Sequence, residues 1–465
     1  MWGLCAGLLT GCAGVGPLST PLQAPLATTA APATWQHAAP QAAAVAPPAT
    51  PEALAGWWQA LDDPWLDRWV VQALAANPGL QETRAALQQA RALRDVTVAR
   101  GGVGVTASGS ASRRLTDTSA NNIFQAGLDA SWEWDLFGAQ RAAEAAAAAD
   151  VAAAQATLGQ AQVSLAAEVA LTVGEWRSAE ARLRLARDSL ARLQDTLTLT
   201  EWRQQAGLVG SLELAQAQTS VAQAQANLPA LHTSRTQALH ALAVLTGQPP
   251  AALLATGAAA DVPMSGPPAA LSLRLPADTL RQRPDVQLAE QRLRAAWARA
   301  RQTEAERLPR FTFSGSLGLA APRLGDLFDA AALTRSVLAS VVASVWDSGA
   351  GEARVQAQEA ALLQARLRLE ATVLQALQEV EDALVALQGH QQRLQALQAA
   401  QVAAISTETL TRHRYTAGLT DVRSVLDAER ARLATESELI TTQTAWRADH
   451  VRLVKALGGG WTPEP

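Results

Sequence analysis

Phe311-Thr312-Phe313-Ser314-Gly315-Ser316-Leu317-Gly318-Leu319 places a large apolar residue at every odd position except Gly315, and a small or polar residue at every even one. Strict alternation sends successive side chains to opposite faces of a β-strand, so this stretch predicts a strand with one apolar and one polar face. Three further segments behave alike. Phe124 to Trp134 sets Phe124, Ala126, Leu128, Ala130, Trp132 and Trp134 against Gln125, Gly127, Asp129, Ser131 and Glu133. Val103 to Ser112 alternates with smaller residues. Val337 to Trp346 gathers Val337, Ala339, Val341, Ala343 and Val345 on one face, with Leu338 and Val342 on the other. Each segment has roughly the 9 to 11 residues that a tilted membrane strand requires. The polar faces carry Ser, Thr, Gly, Gln, Asp and Glu, and Trp132, Trp134 and Trp346 fall at strand ends, where membrane barrels place their aromatic girdles. A soluble sheet with one face on a core produces the same alternation, but no separate apolar layer lies nearby in the sequence to cover it.

Four strands are too few to close, because membrane barrels start at about eight. An open edge in lipid leaves backbone groups unsatisfied at several kcal/mol each. The chain is therefore expected to oligomerise, each copy contributing four strands.

Around these strands the sequence repeats itself. Asn77-Pro78-Gly79-Leu80 matches Arg283-Pro284-Asp285-Val286, and Trp134-Asp135 matches Trp346-Asp347. Ala206-Gly207-Leu208 matches Ala417-Gly418-Leu419, and Leu245-Thr246-Gly247 matches Leu457-Gly458-Gly459. The offsets stay between about 206 and 212, so two copies of one unit are expected, over 51–247 and 277–461, joined by a Pro/Gly/Ala-rich linker at 248–276. Each copy begins with helical segments (Pro51 to Ala99; Asp278 to Glu306), then two strands, a very long helix, a glycine turn and a final helix. The long helices are expected over Ala139 to Gln205 and Glu352 to Arg414, each roughly 95 to 100 Å long. The second carries a heptad-like seam of Val373, Leu377, Val380, Leu384, Leu387 and Leu394, interrupted by Gln391; the first is Ala-rich, which permits close helix approach. Trp57, Trp58, Trp65 and Trp69 read as packing anchors.

Composition narrows the function. The 465 residues are 49% hydrophobic and 17% charged, with a formal charge of −4. Lys455 is the only lysine and Val454 precedes it, which excludes a Walker A phosphate loop. An acidic balance with scattered arginines disfavours nucleic-acid binding. No run of about 18 apolar residues offers a membrane-spanning helix. Cys5 and Cys12 are the only cysteines and the six histidines are scattered, so no metal site, cofactor or thiol chemistry is assigned. Glu133 and Asp135 have the look of paired carboxylates, yet alternate positions share a face in any strand, and no catalytic residue is assigned.

Leu8-Leu9-Thr10-Gly11-Cys12 resembles a bacterial lipobox, with residues 1–11 as a signal-peptide remnant and Cys12 as the lipidated residue. Those eleven residues contain no Lys or Arg, so the leader is expected to extend upstream. The Ala/Pro-rich stretch to Thr50 reads as an extended tether that cannot pack a core.

Together these blocks resemble the TolC-like outer-membrane factors of tripartite efflux systems, lipoprotein branch. The resemblance is carried by Trp57-Trp58 through Leu66, Ala73 to Leu80, Trp132 to Gly138, Arg283 to Val286 with Ala289-Glu290, and Tyr415 to Arg430. It implies a mainly α fold with a small membrane β-barrel, two-fold repeated. As a homotrimer it would form a twelve-stranded barrel continued by a long periplasmic α-helical barrel, with Arg113 to Asn122 and Ala321 to Thr334 as extracellular loops. It implies a passive exit duct in the outer membrane for drugs or other small toxic compounds, working with a periplasmic adaptor (membrane fusion) protein and an inner-membrane RND-type transporter. The adaptor would dock on Ala206, Gly207, Leu208, Ala417, Gly418 and Leu419. A periplasmic gate would use Tyr415 and Asp427, the latter in the place of the second of two acids, with Ser424 in the place of the first; Asp421 is the alternative pore-facing acid. A type I protein-secretion outlet and a pore-less coiled-coil scaffold are the rival readings.

Overall fold

A computed structural model describes residues 34–37, 55–116, 119–256 and 276–461. Cys12, the leader, most of the tether and the centre of the linker lie outside the described residues. The first half contains α1 (Pro64–Ala76), α2 (Pro78–Arg100), β1 (Gly104–Thr116), β2 (Ser119–Trp134), α3 (Ala139–Gln205) and α4 (Ser211–Leu245). The second repeats the order: α5 (Pro276–Gln282), α6 (Pro284–Ala305), β3 (Arg310–Ala321), β4 (Leu333–Val342), α7 (Ala350–Thr416) and α8 (Val422–Ala456). Both long helices have 67 residues and both final helices have 35. From 139 to 350 and from 211 to 422 the offset is 211, whereas from 78 to 284 and from 104 to 310 it is 206. No described helix is long and apolar enough to cross a membrane.

By its contacts the chain divides into two compact units, each drawing on both halves of the sequence. One, over residues 86–154 and 287–372, holds a single antiparallel sheet in the order β1-β2-β3-β4, with β1 and β4 at open edges. The register brings the four alternations into one pattern. Leu128 pairs with Ala107 and Leu317, Trp132 with Phe313, and Gly315 with Val337, so one face is apolar across all four strands, with Arg335 and the Arg113–Asn122 pair as exceptions. The opposite face carries Ser108, Asp129, Ser316 and Ser336, with Ser316 and Ser336 hydrogen-bonded at 2.7 Å. Leu327 and Ala332 of the β3–β4 connection cover the end of the apolar face at Phe124, Ala126 and Leu319, while the rest is open, with Val337 92% exposed. Where β2 ends and β3 begins, Trp132 stacks on Phe313 at 5.9 Å and Trp134 meets Phe311 edge-on, forming an aromatic row.

The strand ends depart from expectation. The β1–β2 ladder runs to Thr116 and Ser119, so Arg113 to Thr116 and Ser119 to Asn122 are strand and not loop; antiparallel pairing needs only backbone, and polar Arg–Asn pairs continue it. The β3–β4 connection spans 322–332, with Leu327 and Ala332 packed on Ala321. Val342 pairs with Arg310, the first residue of β3, so β4 stops there for want of a partner and Trp346 lies beyond the strand. Asp135 and Asp347 follow β2 and β4 and turn the chain into the long helices. Asp135 accepts from the backbone N–H of Gln140 and Arg141, each at 3.0 Å, and Asp347 from Gly349 and Gly351. Partial burial pushes the Asp135 carboxyl up, but these donors outweigh it and hold it below the usual carboxylate range.

The second unit, over 31–85, 155–286 and 373–461, is held by helix packing and buried ion pairs. Trp69 sits edge-on to Trp176 at 5.5 Å, and Asp63, which caps α1, also takes Arg177 at 2.5 Å. The expected seam buries Val373, Val380, Leu384 and Leu394, with Leu377 partly buried. The residue before each repeat's helix-opening proline clips the end of that repeat's last helix. Asn77 Nδ2 donates to the carbonyl of Leu245 at 3.0 Å, and Arg283 Nη1 to that of Ala456 at 2.7 Å. Gly247 and Gly458 sit just past those helix ends with φ of 71° and 79°. A Cβ at Gly247 would lie 2.5 Å from the Ala76 carbonyl oxygen, and one at Gly458 3.2 Å from Arg283 Cα. Gly247 is therefore the counterpart of Gly458, one residue away from the Gly459 that the sequence match selects.

Part of the tether does pack. Trp35 is buried among Val380, Ala383, Leu384, Leu453, Ala456 and Leu457, supplying the apolar mass its Ala/Pro-rich neighbours lack. Glu381 accepts from the backbone N–H of Gln36 and His37 and contacts His37 Nδ1 at 2.8 Å.

The two clips should differ in weight. Arg283 is buried and also pairs with Asp285 and Glu379, both at 2.6 Å. Arg283→Met would leave the Ala456 carbonyl and the half-buried Asp285 without their partner, while the exposed Glu379 is hydrated, and should cost about 2–3 kcal/mol. Asn77→Ala, which removes a helix cap, should cost about 1 kcal/mol. Denaturant titration of both variants in detergent checks the ordering.

Candidate functional site: the helical tips and the α7–α8 end

The long helices end in matched turns. Gly207 and Gly418 adopt φ of 72° and 75°, which favours glycine, and nothing lies within 4 Å of an added Cβ at either. Leu208 N–H donates to the Arg203 carbonyl and Leu419 N–H to that of Arg414, both at 2.8 Å, so both helices close with the same C-terminal motif. Ala206 and Ala417 precede these glycines, and Leu208 and Leu419 stand exposed after them. Each tip thus presents an apolar knob on a rigid turn.

Behind the second turn, Tyr415 is buried at 1% exposure, packed with Leu193, Val221, Val422, Val425 and Leu426. Its hydroxyl and that of Thr200 are 2.9 Å apart. Arg203 lies over the ring at 4.4 Å from its centroid and donates to the Thr416 carbonyl. Tyr415 therefore fastens the end of α7 to the end of α3. Thr200 and Arg203 escape a reading of the sequence, since 215 residues separate Thr200 from Tyr415 and nothing local marks the partnership.

Asp421 and Asp427 have different jobs. Asp421 caps α8, accepting from Ser424 N–H at 2.9 Å and Ser424 Oγ at 2.6 Å. The Ser424 hydroxyl and amide hold the Asp421 carboxyl below the usual carboxylate range. Ser424 is thus occupied as a capping partner. Asp427 is exposed and lies between two guanidiniums, Arg430 at 3.3 Å and Arg423 at 3.8 Å.

Deeper in the packing, Glu429 receives Arg192 of α3 and Arg412 of α7, while Glu408 receives Arg412 and Arg432, and Arg432 also meets Glu436. Burial raises the Glu429 carboxyl, with Arg192 offsetting it in part. Burial also pushes Glu408 up, but Arg412 and Arg432 outweigh it and lower its carboxyl. These ion pairs tie three helices together. Among the described residues, no group of three or more His, Cys, Asp or Glu is arranged to hold a metal.

Comparison with known proteins identifies the architecture. The sequence pattern of the outer membrane efflux protein family matches residues 69–248 and 275–459, one stretch in each repeat. The chain belongs to this family. The pyoverdine export outer membrane protein OpmQ of Pseudomonas putida is 31% identical over 426 residues, covering 87% of this chain and 88% of the relative. The outer membrane protein OprJ of Pseudomonas aeruginosa is 29% identical, covering 87% and 86%. The solved outer-membrane channel OprN superposes with a TM-score of 0.81 at 33% identity, covering 88% of this chain and 93% of that one. VceC from Vibrio cholerae gives 0.79 at 26% identity, covering 87% and 99%. The protein is an outer-membrane efflux channel of TolC-like fold, mainly helical with a small sheet.

Two measurements test the geometry of this outer-membrane efflux protein's tips. Thr200→Val or Tyr415→Phe alone should cost about 1–3 kcal/mol by leaving one buried hydroxyl unpaired, and the double variant should recover part of that loss. Chemical denaturation of the four proteins checks the cycle. Because Asp421 is lowered in the folded state, its contribution is present above the unfolded carboxylate value of about 4 and is lost as pH falls through the lower folded value. Thermal midpoints across acid pH should therefore fall more steeply for the wild type than for Asp421→Asn.

Proposed function

We propose that this channel is a homotrimeric, passive exit duct for drugs or other small toxic compounds, working in a tripartite pump. The observation that carries the reading is the sheet: an apolar face continuous over four strands, bounded by two edges with no partner. In lipid those edges require closure by further copies, and three sheets give twelve strands. A second feature asks for a lateral neighbour. Leu363, Leu367, Leu374, Val385 and Leu410 are exposed on α7 and fall within about 40° of one another at 100° per residue, forming one apolar stripe along the helix.

In this reading the two units of sequence, 51–247 and 277–461, with the 248–276 linker, build the outer-membrane barrel and a periplasmic helical barrel. Cys12 is lipidated and anchors the chain by its tether. Ala206, Gly207, Leu208, Ala417, Gly418 and Leu419 dock a periplasmic adaptor protein, using the exposed leucines and the shape of the turns, and an inner-membrane transporter supplies the energy. Tyr415 latches the gate through Thr200, and Asp427 lines its aperture. Trp132 and Trp134 mark the membrane interface, and Trp346 lies just beyond the strand. The relatives named for toluene efflux and pyoverdine export support a cargo of small organic compounds. A duct that only conducts needs no catalytic residue.

Purification in detergent with mass measurement, followed by planar-bilayer recording, tests the proposal. A trimer that conducts ions is expected, and Leu374→Glu together with Val385→Glu should weaken the trimer. Monomers or helical dimers extracted without detergent and lacking conductance would overturn it.

A further inference from the structure

We infer that the aperture at the α7–α8 end of this duct carries net positive charge and favours anions over cations. The inference rests on the placement of Asp427 at the gate proposed above. By itself Asp427 would form an acidic ring in the trimer and concentrate cations by its field. The structure does not leave it by itself.

Arg423, Asp427 and Arg430 stand at i, i+4 and i+7 on α8, the spacing of a single helical stripe. Arg430 Nη1 is 3.3 Å and Arg423 Nε 3.8 Å from the Asp427 carboxylate, and all three side chains are more than half exposed. Guanidiniums this close to Asp427 line any aperture that Asp427 lines. The packed positions of α8, Val422, Val425, Leu426, Ala428 and Glu429, lie about 100° or more from Asp427 around the helix, with Leu426 adjoining the Arg430 edge of the stripe, so Asp427 and Arg423 are what this side offers to water.

The nearby acids do not redress the balance. Asp421 lies six residues before Asp427, about 120° around the helix at 100° per residue, and is bonded to Ser424. Glu429 is buried and matched by Arg192 and Arg412. Ser424 contributes no charge. Each protomer thus brings two guanidiniums and one carboxylate to the stripe, and three protomers bring six against three. Arginine does not deprotonate in proteins, so the excess persists across physiological pH. An aperture narrower than the screening length of about 8 Å leaves it largely unscreened. Arg430 Nη2 also donates to Ser220 Oγ of α4 at 3.2 Å, whereas Arg423, its side chain 75% exposed, is the guanidinium open to a passing carboxylate, sulfonate or phosphate, which arginine recognises through paired hydrogen bonds. The cargo class this ring admits most readily is therefore the anionic or zwitterionic organic compound, while small cations meet a barrier.

Reversal potentials across a KCl gradient test this directly, using wild-type trimers in planar bilayers. The wild type should reverse toward the chloride potential, with chloride favoured on the order of twofold to fivefold. Arg423→Gln should move the reversal toward zero, Arg423→Glu should carry it to the potassium side, and Asp427→Asn should strengthen the anion preference. If Arg423→Glu fails to assemble, the same-length neutral variant Arg423→Gln decides. A wild type that conducts but prefers potassium would overturn the inference and leave the duct standing, as would an anion preference unmoved by both Arg423 substitutions. A wild type that forms trimers without conducting would overturn the duct reading and this inference with it.

Discussion

An antiparallel sheet with two open edges and an apolar face exposed over most of its extent calls for a partner. Water disfavours the face, and lipid disfavours the edges because backbone N–H and C=O groups find no alternative partner there. The rest of the chain answers to that condition. In the second unit, tryptophan packing and buried arginine pairs hold the helices in register. The aromatic row of Trp132, Phe313, Trp134 and Phe311 gives the sheet a defined end.

The division of labour between apolar packing and buried charge is uneven. Apolar contacts fill the α7 seam and the cluster around Tyr415, the latter fastened further by the Thr200–Tyr415 hydroxyl pair. Buried ion pairs sit where helices of different sequence origin meet. Arg177 joins Asp63, and Arg192 joins Glu429. A buried pair adds little net stability over a well-packed apolar one, but breaking it is costly, which discriminates against a helix shifted by one turn. In an Ala-rich assembly that lacks bulky knobs, such pairs define the alignment.

The alternation of all four strands and the span of α3 were legible because both periods are local properties of the chain. Strand ends were less so, since a ladder stops where its partner stops: Trp346 follows a convincing apolar pattern, yet β3 has no residue left to pair with it. The pairing of Gly247 with Gly458 was hidden for a similar reason, because the close approach that demands glycine involves Ala76 and Arg283, distant in sequence. At the tips, the i−4 and i+3 arginines around Asp427 were open to a reading by spacing alone. The contact between Thr200 and Tyr415 was not, because it depends on how two helix ends meet.

The two halves of the chain keep an offset of 211 from the start of the long helices to the end of the final ones, but 206 before the strands. The five-residue difference accumulates between the first strand and the long helix of each half, 35 residues from 104 to 139 against 40 from 310 to 350, the second including the longer connection at 322–332. One residue inserted into α3 or α7 turns everything beyond it by 100° about the helix axis, carrying each buried arginine away from its acid. The strand connection carries no such penalty, since a loop absorbs length at small entropic cost. Tolerance to insertion is therefore concentrated at 322–332, which makes that loop the natural graft site for a foreign epitope or binding peptide.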